Sequence, residues 1–266
     1  MTYKDLLVVV DSMPHARDRL LLAVRLAERF GAHLIGLYAT LLPDEDRLSG
    51  QRRGGRVEEA HALFEEVTAN GSFSAEWRSA FGSPDHMAAL HGRYADLVIL
   101  GQYDHDEEHA ASCQPRPEEV ALQIGRPILV VPYVGGFADT GRRVLIGWDA
   151  SREVTRAVND AMPLLAAASS VTVLSIDPKQ NAEDHGEVPG ADIALHLARH
   201  GVTAEVQSTV SAGIGIGNAL LSRASDLAAD LLVMGAYGHS RTRERLIGGA
   251  ARTVLSSMTL PVLMAH

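Results

Sequence analysis

Cysteine is nearly absent from this chain: Cys113 is the single one among 266 residues. One thiol excludes an internal disulfide framework and a cysteine-based zinc finger. Lysine is almost as scarce. Only Lys4 and Lys179 occur, and neither follows a G-x-x-x-x-G loop, so a P-loop of the usual lysine-bearing kind is excluded. Positive charge is short overall, with 24 Lys and Arg against 33 Asp and Glu and a net charge of −9. A field of that sign repels phosphate backbones and anionic lipid, so neither a nucleic-acid partner nor a membrane partner is expected. No apolar run approaches the ~18 residues that a membrane span needs. The opening MTYKDLLVVVDS has its apolar run directly after Asp5, unlike a signal peptide, and the expected location is cytoplasmic.

What the chain does have is a repeat. ADLVILGQY at 95–103 recurs as ADLLVMGAY at 229–237, and PILVVP at 127–132 recurs as PVLMAH at 261–266, each 134 residues later. Near the starts of the copies, LLVVVDS and VLIGWDAS place Asp11 and Asp149 at an offset of 138, which one short insertion or deletion explains. The glycines of VGGFADTGRR mark a linker. The expected domains are therefore 1–136 and 141–266.

Within each copy short apolar runs alternate with amphipathic stretches. The runs predict strands at 6–10, 33–38, 74–78, 96–100 and 128–131, and at 143–148, 171–176, 204–209, 230–234 and 261–265. Leu20, Leu21, Val24 and Ala27 share one helical face in the first copy. Val154, Ala157, Val158, Ala161 and Leu165 do so in the second, behind Ser151 as N-cap. Strands poor in polar residues and separated by helices indicate a parallel sheet covered on both faces. The expected fold is α/β: two tandem doubly wound parallel-sheet domains, Rossmann-like and five-stranded.

Such sheets bind ligands beyond the carboxyl ends of their strands. In the second copy Asp149 and Ala150 follow the first strand, and GAYGHSRTRERLIGGAARTVL, residues 235–255, follows the fourth. Gly235 and Gly238, then Gly248 and Gly249 at the start of a helix, allow close backbone approach, and their N–H groups suit an anion. His239, Arg241, Arg243 and Arg245 lie between them and form a local positive field. Asp149 would repel phosphate but would accept from a donor at the ligand's other end, an adenine amino group or a ribose hydroxyl. Together these features describe a nucleotide with its phosphates on the glycine loop and its base near strand one of the copy.

At these residues the chain resembles a tandem-domain universal stress protein. Gly235-x2-Gly238-x9-Gly248 is similar to the G-x2-G-x9-G-[S/T] motif of that family's ATP-binding members, with Met234 before it and Asp149 after strand one. Gly249 replaces the hydroxyl residue, which weakens rather than removes the phosphate contact. The resemblance implies a nucleotide site of Asp149, Ala150, Ile176, Met234, Gly235, Gly238, His239, Arg241, Gly248, Gly249 and Ala250. It implies as ligand ATP or another adenine nucleotide, with or without Mg, and a stress-response role as sensor or regulator. At most slow ATP hydrolysis is expected, since no nucleophile elbow, paired carboxylates or base aimed at a γ-phosphate is recognisable. The alternatives are a ligand-free interaction or scaffold protein and a slow ATPase. The first copy departs from the pattern: Asp104 and Gln114 stand in the places of Gly238 and Gly248, amid Asp106, Glu107 and Glu108. Nucleotide binding there is expected to be lost, with Asp11 a relic rather than a helix-start residue.

Three further signals are set aside. His105, His109 and Cys113, with Asp104 or Asp106, have the types for zinc and would share a helical face, but read as a solvated acidic loop. His196 and His200 lack the Glu of H-E-x-x-H and read as an exposed helix face. Gly213, Gly215 and Gly217 read as a helix-entry loop. As to partners, the apolar last strand of each copy is an edge liability. We therefore expect an intramolecular pseudo-dimer of the two domains, with a homodimer and an unidentified protein partner left open. Cleaving the linker near Gly135 should leave the halves associated on gel filtration; two freely separating fragments would refute that pairing.

Overall fold

The computed structural model describes residues 2–41, 54–107, 110–137, 140–178, 188–236 and 248–266. Two compact units divide the chain, 2–138 and 139–266. In the first unit the order is β1 (Asp5–Val9), α1 (Ala16–Phe30), β2 (His33–Thr40), α2 (Gly54–Thr68), β3 (Ala75–Phe81), α3 (Pro84–Gly92), β4 (Leu97–Gly101), α4 (Ala110–Cys113), α5 (Pro117–Ile124) and β5 (Ile128–Val131). The second holds β6 (Arg143–Gly147), α6 (Arg152–Asp160), α7 (Met162–Leu165), β7 (Ser170–Ile176), α8 (Ala191–Arg199), β8 (Ala204–Thr209), α9 (Ile216–Asp226), β9 (Leu231–Gly235), α10 (Gly249–Ser257) and β10 (Val262–Ala265).

Each unit builds the same parallel sheet. The strand orders are β3-β2-β1-β4-β5 and β10-β9-β6-β7-β8, so β1 and β6 sit at the centre. This is the doubly wound α/β fold that the alternation of runs implies. Every β4 and β5 residue is buried, as are all those of β10. These strands therefore read as unbroken apolar runs. The outer strands β3 and β8 are half exposed and carry charged residues.

The repeated Ala-Asp-Leu has the same structural job twice. Asp96 Oδ2 accepts the N–H of Lys4 (2.7 Å) and of Asp5 (3.1 Å), fixing the entry of β1 beside β4. Asp230 Oδ1 accepts those of Gly141, Arg142 and Arg143 at 2.8, 2.9 and 3.1 Å, fixing β6 beside β9. Gly36 shows why β2 has a gap in its apolar run: a Cβ there would meet the Phe64 ring at 2.5 Å. The missing side chain seats α2 against the sheet, with Phe64 and His61 packed on Trp77.

Two helical expectations need correction. The stretch Val154–Leu165 is two helices, because Pro163 has no N–H to continue the ladder and α7 restarts around it. On α1 the buried face is broader than the periodicity implies. It includes Leu22, Ala23 and Leu26, and also Arg19, while Leu21 is only half-buried.

Candidate functional site

In each sheet strand order reverses beside the central strand, between β1 and β4 and between β6 and β9. The carboxyl edge at such a reversal is where an open α/β sheet leaves a crevice. In the second unit Asp149, Ala150 and Gly235 lie at that edge. Asp149, half-buried, follows β6, and its Oδ1 accepts from Ser151 N (3.0 Å) and Ser151 Oγ (2.6 Å). Ser151 in turn caps α6, its Oγ accepting from Val154 N at 3.3 Å. Gly235 ends β9 against this same turn; a Cβ on it would stand 2.9 Å from Val154 N. Met234 beside it is buried in the strand, and Ile176 ends β7 half-buried.

Gly248 is the N-cap of α10 and Gly249 its first residue. Among the described residues no side chain caps this helix, and no acidic residue lies in its first turn. Its first N–H groups and dipole favour negative charge. Gly249 is exposed, with nothing within 4 Å of a Cβ added there, and Ala250 is half-buried. Gly238, His239 and Arg241 lie outside the described residues, as do Arg243 and Arg245.

Backbone strain marks the same edge. Among the described residues the non-glycine positions with positive φ are Ala150, Asp177, Ala212 and Ala228, all in the second unit. The first three follow β6, β7 and β8 in turn. Left-handed non-glycine residues cost free energy and cluster at ligand sites.

The first unit fills the corresponding crevice with its own side chains. Arg19, on α1, gives Nη2 to Asp11 Oδ2 at 2.7 Å and Nε to the Val9 carbonyl at 2.9 Å. Both side chains of this pair are buried, 3% and 1% exposed. Asp11 Oδ1 also accepts from Met13 N at 3.1 Å. The expectation that Asp11 is a relic is thus corrected: it holds the helix start and half of a buried ion pair. A Cβ on Gly101, the counterpart of Gly235, would collide with the Arg19 guanidinium. Gln114, in the place of Gly248, is buried, and its Oε1 accepts the N–H of Asp104, in the place of Gly238, at 3.0 Å. At the 138 offset the second unit has Ala157 where the first has Arg19. Sequence reasoning missed Arg19, although an arginine among the apolar residues of α1 was a visible signal.

His105 does not share a helix with Cys113, because residues 102–107 are not helical and α4 begins only at Ala110. Asp104 Oδ1 accepts from Asp106 N at 3.0 Å and turns the chain there. Cys113 is buried with Met13 and Ala110, and burial pushes its thiol up. His109 lies outside the described residues. Among the described residues no three His, Cys, Asp or Glu gather as a metal group. His196 is half-buried rather than fully exposed, its ring 4.7 Å from that of His200. Gly215 caps α9, and Gly217 packs on α10, where a Cβ would meet the Ala250 carbonyl at 2.8 Å. No helix among the described residues is long and apolar enough to cross a membrane.

Comparison with known proteins adds the following. The model of the universal stress protein family matches residues 141–266. A universal stress protein of Synechocystis sp. is 28% identical over 184 residues, 67% of this chain and 60% of that relative. The match thus spans less than two thirds of the relative's length. Two solved structures share the fold across both units. The crystal structure of a universal stress protein from Archaeoglobus fulgidus DSM 4304 superposes with a TM-score of 0.71 at 15% identity, over 98% of this chain and 95% of that one. A functionally unknown protein from Pseudomonas aeruginosa PAO1 does so with a TM-score of 0.62 at 18% identity, over 98% and 92%.

Proposed function

Residues 141–266 belong to the universal stress protein family, and from that premise we propose that this half binds an adenine nucleotide as the protein's sensing or stabilising ligand in a stress response. The observation that carries the reading is the asymmetry between two copies of one edge. In the first, Arg19 pairs with Asp11 and Gln114 accepts from the Asp104 N–H, at the places where a ligand would lie. In the second, the same places hold Ala157, Asp149 and Gly248, beside a helix start that no described side chain caps and a strained strand edge.

In this reading phosphates lie on Gly235, Gly238, Gly248 and Gly249 and the start of α10, where backbone N–H groups and dipole favour negative charge. His239 and Arg241 extend the positive field, and Mg accompanies a triphosphate. Asp149 accepts from the nucleoside. Ligand that binds only the folded state raises its stability. The two halves remain associated within the chain, as the linker cleavage tests.

Calorimetric titration of ATP and AMP at fixed salt tests the proposal, with one site per chain expected. Gly238→Val should weaken ATP severely while the sheet stays folded. Asp149→Ala removes the acceptor for the base, so adenine selectivity should fall by about 1–3 kcal/mol, the scale of a hydrogen bond whose partner is left unpaired. Arg241→Ala should weaken ATP more than AMP. Asp104→Ala, in the first half, should change nothing. Gly249→Ser should tighten binding by about 1 kcal/mol, since one hydrogen bond to phosphate is gained in open space. No heat and no thermal stabilisation with millimolar ATP would replace this reading by that of a ligand-free interaction protein. Steady ADP release would turn it into that of an ATPase.

A further inference from the structure

The last turn of α8 carries two imidazoles that the nucleotide reading does not use. His196 and His200 are four residues apart, so one helical turn brings them to the same face. Their ring centres stand 4.7 Å apart and their planes meet at 55°. Each follows a buried aliphatic residue by three positions, Ile193 and Leu197, so the pair runs along one flank of the buried stripe of α8. His196 is half-buried and His200 exposed. The turn after His200 leads into the start of β8 at Ala204. The pair therefore lies at the amino edge of the sheet, opposite the nucleotide crevice.

The Nε2 of His196 is buried, and among the described residues no hydrogen-bond partner stands at it. A ring nitrogen shut away from water costs free energy unless a water or an ion meets it. The spacing of the rings fits an ion. Two imidazoles bound side by side to one divalent metal, each nitrogen about 2.0–2.1 Å from it, hold their ring centres about 5 Å apart. Local charge is mixed: Asp192, one turn before His196, favours a cation, and Arg199 opposes it. His200 is the C-cap of α8, at the negative end of the helix dipole, which also favours a cation.

We propose that His196 and His200 together bind one divalent transition-metal ion. His196 supplies Nε2, and the exposed His200 turns to bring its own ring nitrogen to the same ion. Among the described residues no third His, Cys, Asp or Glu completes a metal group. Two imidazoles are thus the protein's share, and water fills the remaining positions. Imidazole suits copper, nickel and zinc, and in the general order of affinities copper(II) stands above both nickel(II) and zinc(II).

Copper(II) chloride titrated into the full chain, followed by electron paramagnetic resonance and by thermal unfolding, tests the proposal. The chain has 12 histidines, so the decisive quantity is the equivalent that depends on this pair. The wild type should hold one such equivalent, with nitrogen hyperfine lines from two imidazoles, and the ion should raise its unfolding temperature. His200→Ala, at an exposed position, should fold as before without metal. Its affinity for that equivalent should fall by about tenfold or more, because the remaining imidazole binds without its chelating partner. His196→Ala should weaken the same equivalent. His33→Ala, in the first half, should retain it, and zinc chloride should displace copper only in large excess. A pair that merely packs would leave copper binding untouched in both variants, and that result would overturn the proposal. So would a wild type that binds no copper. Neither outcome bears on the nucleotide site, which is titrated separately.

Discussion

Replacing Arg19 by alanine should cost the first half about 3–5 kcal/mol, the penalty for breaking a buried ion pair from one side. The substitution leaves the Asp11 carboxylate, 1% exposed, without its counter-charge, and the Val9 carbonyl without the Nε donor. Asp11 cannot swing out to water, because its other oxygen receives the Met13 N–H at the turn into α1. The double variant Asp11→Asn with Arg19→Met should lose far less. It removes both charges together, retains an acceptor for Met13 N, and fills the volume with an apolar chain; such replacements of a whole buried pair are often near neutral. Urea unfolding of the three proteins measures the difference. An Arg19→Ala chain that loses less than about 1 kcal/mol, the range of an exposed pair, would mean that the guanidinium is dispensable, and with it the argument that the first crevice is internally filled. The nucleotide stoichiometry should stay at one per chain in every variant, since the acidic loop and Gln114 are untouched.

The largest expected effect on the second half comes from Gly235→Val. A Cβ there meets backbone and near-backbone atoms, Val154 N at 2.9 Å, Glu153 Cβ at 3.0 Å and Glu153 C at 3.2 Å. These neighbours cannot turn aside as a long side chain can. The first turn of α6 has to shift, and that turn carries Ser151 and through it Asp149. Overpacking of this kind costs about 1–3 kcal/mol. The displaced Asp149 and the blocked approach of phosphate to the Gly235 backbone should lower ATP affinity by more than tenfold, about 1.4 kcal/mol or more. Thermal unfolding and calorimetry on the same preparation separate the two losses. Gly249→Ser is the control for stability alone, because among the described residues nothing stands within 4 Å of a Cβ added there and its φ is ordinary. A Gly235→Val protein that unfolds and binds like the wild type would remove Gly235 from the site.

The strands were legible in the sequence and the crevice was not. Runs such as LLVVV, LVIL and LLVM are unbroken because parallel strands covered on both faces have no polar side to show. The 134-residue repeat then assigns the same sheet twice. Gly235 was legible for a related reason: its backbone runs so close to the start of α6 that a side chain has no room, and that need is local. Local pattern also misled. One helical face across 154–165 hid the break at Pro163. What only the tertiary structure decided is which side chain reaches which crevice. Arg19 lies eight residues from Asp11, and Gln114 ten from Asp104. Periodicity states which face a residue occupies, but the direction of a long side chain depends on the neighbouring strand it meets. In the first half an arginine on an apolar helix face looks like a flaw in the pattern until β1 and β4 are laid side by side. The fold then turns it towards Asp11, because burying either charge alone costs more than burying the pair.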